Sequence, residues 1–168
     1  MSAPAWFFAL LAIAILGFGM VTSFFLTFSD FLMRSLKAAK PETGVEIMQI
    51  INREVLRSIT IVLLWSMLAL SVLLASAAAL SRLSNAPLGL IACACAIYVA
   101  GVLVVSFARN LPMNEHLGSM PYSDPEATRY WQTVYLDQWV FWNTVRVVAS
   151  AGSAVCLLAS AWILKGGG

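Results

Sequence analysis

The sequence predicts an all-α fold, a bundle of four transmembrane helices with helical extensions on one membrane face. Composition, run length and spacing lead there. Hydrophobic residues make up 61% of the 168-residue chain and charged residues only 11%, against roughly 25% charged in a soluble domain. So few polar side chains could not cover the surface of a soluble fold. Four apolar runs, at residues 4–28, 59–80, 86–108 and 147–164, approach the about 20 residues that a spanning helix needs. Two polar connections, residues 29–58 and 109–146, carry helical spacings of their own. Residues 1–168 therefore read as a single membrane domain.

The first run contains no ionisable side chain. It lacks the basic start of a secretion signal and has about twice the apolar length of one, so it is expected to stay as a span. Asp30 and Arg34 follow at i,i+4, and Pro41-Glu42-Thr43-Gly44 predicts a turn. Met48, Asn52, Val55 and Ile59 recur at helical spacing and feed the second span. Ser84-Asn85-Ala86-Pro87 predicts a tight turn that makes the second and third spans antiparallel neighbours. Asn110-Leu111-Pro112-Met113-Asn114 opens the second connection, which is expected to relax into a loop ending at Pro121. Ser123-Asp124-Pro125-Glu126 has the pattern of a helix start: a cap, a proline in the first turn and an acid beside it. From there one helix is expected to run into the fourth span. Residues 166–168, all glycine, are expected to form a short flexible end.

Arg34, Lys37, Lys40, Arg53, Arg57, Arg109, Arg129 and Arg146 lie on the side of the long connections, against Arg82 and Lys165 on the other. This bias places both connections in the cytoplasm and both termini outside a plasma or inner membrane. The bilayer is thus the first partner, and a homo-oligomer or larger membrane complex is compatible with the sequence. The net charge of +2 comes with no basic stripe, so nucleic acid is not expected as a partner. Cys93, Cys95 and Cys156 lie inside apolar runs, without the spacing or companion histidines of a metal site, and read as packing residues. No cofactor is called for.

The densest polar and aromatic pattern leads into the fourth span. Trp131, Tyr135, Trp139, Trp142 and Arg146 follow spacings of 4, 4, 3 and 4, which puts them on one helix face with Asn143 on its flank. One reading is an interfacial aromatic belt with a snorkelling arginine. The other is a face on which a flat aromatic ligand stacks with an oxygen near Arg146, because an ionisable group at this depth usually faces a cavity. Asn110 and Asn114 flank Pro112 and either cap a helix end or form the polar floor of a pocket. Asn52 beside Arg53 either anchors the second span at the interface or shares that pocket. His116, the only histidine, is either an idle loop residue or a general base near neutral pH.

These motifs resemble the anthrone oxygenase-like family of small four-helix membrane proteins over most of the chain. The resemblance rests on Met48-Gln49-x-x-Asn52, Asn110-x-Pro112-x-Asn114 and Trp139-x-x-Trp142-Asn143-x-x-Arg146. It implies oxidation of an anthrone to an anthraquinone by molecular oxygen, an activity assigned to some relatives in polyketide pathways. Many members carry histidine directly after the Trp-Asn pair, where this chain has Thr144.

Two functions follow as expectations. In the first, the chain is a cofactor-independent oxygenase of a lipophilic phenolic substrate. Arg146 with Asn143 or Asn110 would hold the oxyanion, and Trp139 and Trp142 would stack the rings. Trp131, Tyr135, Asn114 and Asn52 would complete the pocket, and His116 would take the proton. In the second, it is a non-catalytic membrane protein that binds a small molecule or quinone, or serves in a larger complex. A transporter fits less well, because no span has a buried acid or a Gly/Pro-broken centre.

Overall fold

The computed structural model describes residues 4–81 and 84–166, and all its regular elements are helices. In chain order they are α1 (Ala5–Ala38), α2 (Pro41–Val55), α3 (Ile59–Leu80), α4 (Asn85–Gly118) and α5 (Pro125–Gly166). All but α2 are long and apolar enough to cross a membrane. Arg82, and Gly167 and Gly168 of the tail, lie outside the described residues.

Three of the spanning helices overshoot the bilayer. α1 and α4 have 34 residues each and α5 has 42. At 1.5 Å per residue, the shorter two reach about 50 Å, against about 30 Å of hydrocarbon. The surplus gathers at one end of the bundle, where α2 covers it. Val45 and Met48 of α2 bury their side chains with Leu36, Leu117, Ala127 and Trp131 in a second core, separate from the core of the spans. Gln49 Nε2 donates to the carbonyls of Leu117 and Met120 at 2.8 and 2.9 Å, capping the end of α4.

The connections are more helical than their sequences predict. Pro41 starts α2 rather than a turn, since the first helical position has no use for a backbone N–H. The chain reverses just before it, at Ala39 and Lys40, whose backbones are extended. Asn85, Ala86 and Pro87 likewise form the first turn of α4 instead of a tight turn. Pro112 does not end α4, which runs on to Gly118. A π-turn at Ser106–Asn110, in which the Leu111 N–H reaches five residues back to Ser106 O, precedes the proline. The helix start at Asp124 is as expected: its carboxylate accepts from the Glu126 N–H at 2.8 Å, and α5 then runs unbroken to Gly166. Asp30 and Arg34 pair at 2.6 Å on the surface.

α5 packs between α1 and α4, and α3 closes the opposite side of the bundle against the same two helices. Lipid tails are as apolar as leucine, so close backbone approach and interhelical hydrogen bonds must hold such helices together. At Gly101 an added Cβ would lie 2.4 Å from the Ala149 Cβ, and at Gly17 it would lie 2.3 Å from Met67 Sδ. Ser153 donates to Ala94 O at 2.9 Å, Ser160 to Pro87 O at 3.2 Å and Thr22 to Ser150 Oγ at 2.9 Å.

The α4–α5 contact therefore depends on Gly101. Gly101→Ala is expected to cost about 1–3 kcal/mol, the range for overpacking a filled interior. Gly19→Ala, which meets nothing within 4 Å, should be neutral or slightly stabilising. Thermal unfolding of both variants in detergent, followed by circular dichroism, checks the contrast.

Candidate functional site

The two cores meet around a cavity of ≈ 170 Å³, walled by α1, the α2–α3 junction, α4 and α5. Most of its wall is apolar, including Phe24, Phe25, Phe28, Ile61, Leu64 and Leu103. Asn52, Thr60, Ser106, Asn110, Asn114, Asn143 and Arg146 also line it. A mainly apolar cleft with a few convergent polar groups is the usual form of a small-molecule site.

Arg146 is the centre of this polar set. It is buried, and its guanidinium lies 4.3 Å over the Phe25 ring and 5.4 Å from the Trp139 ring centroid. One terminal nitrogen donates to Asn143 Oδ1 at 2.7 Å and the other to Ser106 Oγ at 3.2 Å. Nε has no partner. Among the described residues Arg146 makes no ion pair; both salt bridges found there are exposed and lie elsewhere. Neutral hydrogen bonds alone balance a buried charge poorly.

Asn143 fixes the arginine by tying α5 to α1. Its Nδ2 donates to Phe25 O and to Ser29 Oγ, both at 2.7 Å, which leaves Oδ1 turned towards Arg146. Asn110 is also buried. Its Nδ2 donates to Trp139 O at 3.2 Å, and its Oδ1 has no partner. Among the described residues, Asn110 Oδ1 and Arg146 Nε are the two buried side-chain polar atoms left without a hydrogen bond. One is an acceptor and the other a charged donor, and both belong to residues of the same cavity.

The aromatic stripe divides. Trp131, Tyr135 and Trp139 stack in series, with centroids 5.3 and 6.1 Å apart and planes within 24°. A spacing of 4 drifts round an α-helix of 3.6 residues per turn, and the wider π-turn at Trp131–Tyr135 offsets that drift. Only Trp139 of the three lines the cavity. Trp131 and Tyr135 are core residues behind it. The Tyr135 hydroxyl donates to Asn114 Oδ1 at 2.7 Å and accepts a longer bond from Asn52 at 3.4 Å. Trp139 Nε1 donates to the same Asn114 oxygen at 2.8 Å.

Two expected pocket residues lie elsewhere. Trp142 is three positions past Trp139, about 60° back round the helix, and it stacks under Arg109 at 4.8 Å instead of lining the cavity. His116 is exposed on the last turn of α4 and meets Tyr130 edge-on at 4.5 Å, so it does not reach the cavity. Conversely, the sequence reading missed Phe25, Thr60 and Ser106. Ser106 carried a signal, being a hydroxyl inside an apolar run; Phe25 carried none.

A multi-pass membrane protein emerges, a four-helix bundle that encloses an apolar cavity with one buried cation on its wall. The family model for anthrone oxygenase matches residues 55–156, which hold most of the cavity's polar groups. The chain belongs to that family. No curated protein and no solved structure matches the chain.

An uncompensated buried charge costs stability. Arg146→Met keeps most of the volume and removes the charge, and should raise thermal stability by relieving the cost of a buried charge without a counterion. Asn143→Ala strands the guanidinium and should lower stability by about 1–3 kcal/mol. Opposite shifts in detergent unfolding temperature are the expected result; Arg146→Met falling below wild type would refute the assignment of Arg146 as a stability cost.

Proposed function

We propose that the cavity binds a lipophilic aromatic ketone of the anthrone type as its enolate and presents it to molecular oxygen. The observation that carries this reading is that Arg146 Nε and Asn110 Oδ1, both without a hydrogen-bond partner, belong to two residues that line an apolar cavity. A charged donor without a counterion suits an oxyanion, and a free buried acceptor in the same cavity's lining suits a hydroxyl on the same molecule. The family supplies the reaction class.

In this reaction the methylene opposite the carbonyl loses a proton and the enolate oxygen takes up the negative charge. Arg146 stabilises that charge in a water-poor site, where such interactions are strong. The electron-rich carbon then reduces oxygen and forms a C–O bond. Loss of the second C–H proton breaks the O–O bond, giving a new carbonyl and water. One oxygen atom enters the quinone and the other leaves as water, so no other reductant is consumed.

Arg146 is the catalytic residue of this scheme. Asn143 and Ser106 orient it, Asn110 receives the ligand's hydroxyl, and the rings lie among Phe28, Trp139 and their neighbours. Among the described residues, no Asp, Glu or His lines the cavity, so the first proton passes to water rather than to a side-chain base. The extension end, with its basic residues, faces the cytoplasm in this proposal. A second reading, a non-catalytic binder of a quinone or similar molecule, draws on the same lack of a base.

Oxygen consumption by purified protein with anthrone separates the two. Wild type should exceed an empty-membrane control, and Arg146→Met should lose about 10²–10³-fold, the usual effect of removing an oxyanion donor. Wild type no faster than the control sinks the oxygenase reading and leaves the binder. The rate should also rise with pH until the substrate itself is ionised. His116→Ala should leave that profile unchanged; an inflection lost in this variant would return the base role to His116.

A further inference from the structure

The cavity's walls differ in what covers them. Leu56, Trp65 and Phe107 line it and are also 61, 51 and 54% exposed, so they mark its mouth. All three are apolar. Trp65 on α3 and Phe107 on α4 face each other across the opening, with ring centroids 6.3 Å apart at 45°. Asn110, Asn143 and Arg146 lie behind them, all buried.

The depth of the rim is set by its neighbours. Ser58 caps α3, accepting from the Thr60 N–H at 3.2 Å, with Arg57 just before it. Trp65 lies about 10 Å further along the helix at 1.5 Å per residue. Phe107 lies two positions inside Arg109, the last cation before the extension of α4. The opening thus spans the boundary between headgroups and acyl chains and continues into the hydrocarbon. Flat aromatic molecules with one polar edge concentrate at this level of a bilayer, as Trp and Tyr side chains do.

We infer that the site is loaded sideways from the bilayer, through a mouth between α3 and α4 that Trp65 and Phe107 narrow. A ligand dissolved at the boundary slides in between the two rings, polar edge first, and meets Arg146 without crossing water. The route accounts for a polar set at the inner end of a cavity whose mouth is apolar. As a path for substrate it rests on the function proposed above; as an opening in the protein it does not.

The test therefore reads access rather than turnover. A single thiol is placed inside the mouth with Leu64→Cys, in a chain whose Cys93, Cys95 and Cys156 are replaced by alanine, in phosphatidylcholine vesicles. Modification by uncharged, lipid-soluble N-phenylmaleimide is compared with that by a quaternary-ammonium methanethiosulfonate, each normalised to its reaction with free thiol in the same suspension. The maleimide should be at least tenfold faster. Adding Trp65→Ala should speed it several-fold and leave the charged reagent unchanged. Val72→Cys, on the 58% exposed outer face of α3, sets the rate for full exposure to lipid. Ile61→Cys replaces Leu64→Cys if the latter does not elute as one species. Equal or faster reaction with the charged reagent would overturn the lateral route, as would no response to Trp65→Ala. Labelling as expected with no oxygen uptake on anthrone would keep the route and reject the oxygenase.

Discussion

Arg146 and Asn143 lie on adjacent turns of one helix, and the contact between them organises the end of the bundle that carries the extensions. A guanidinium in this position needs acceptors, and Asn143 can supply one only if its own amide nitrogen is engaged elsewhere. Phe25 O and Ser29 Oγ of α1 engage it. The arginine is therefore held by a neighbour on its own helix, and that neighbour is tied across to α1. Ser106 extends the hold to α4. Three long helices are fixed to one another around a charge that none of them neutralises.

That arrangement explains where the bundle is tight and where it opens. Small residues bring α5 against α4, serine hydroxyls stitch that contact to backbone carbonyls, and Thr22 bonds Ser150 between α1 and α5. α3 touches α1 and α4 but has no comparable contact with α5. The space left between α3 and the cation becomes the cavity. Its polar atoms are mostly engaged by the protein, and the exceptions, Asn110 Oδ1 and Arg146 Nε, point to a role outside stability. Local rules of satisfaction fail at functional sites more often than elsewhere.

The extension serves the same end. α2 and the stacked Trp131, Tyr135 and Trp139 build a core beyond the spans. Through Asn114, which accepts from both Tyr135 and Trp139, that core sets the angle of the tryptophan that borders the cavity. The residues of Met48-Gln49-x-x-Asn52 take distinct physical roles here. Met48 fills the second core, Gln49 caps α4, and Asn52 bonds the stacked tyrosine.

The amino-acid sequence by itself determined the membrane class, the four spans and the gathering of polar and aromatic groups at one end. Those follow from run length, composition and periodicity, which act locally. It also singled out Asn110, Asn143 and Arg146, since amides and a guanidinium next to apolar runs need partners wherever they point. Direction was decided by tertiary structure. A π-turn kept Trp131, Tyr135 and Trp139 in line, a 3-residue step turned Trp142 away from Trp139, and an unbroken α4 carried His116 out beyond the cavity. Phe25, Thr60 and Ser106 joined the site because packing of α1, α3 and α4 brought them there. Whether a side chain lines a cavity depends on the rotation of its helix against the others, and no single helix's sequence contains that angle.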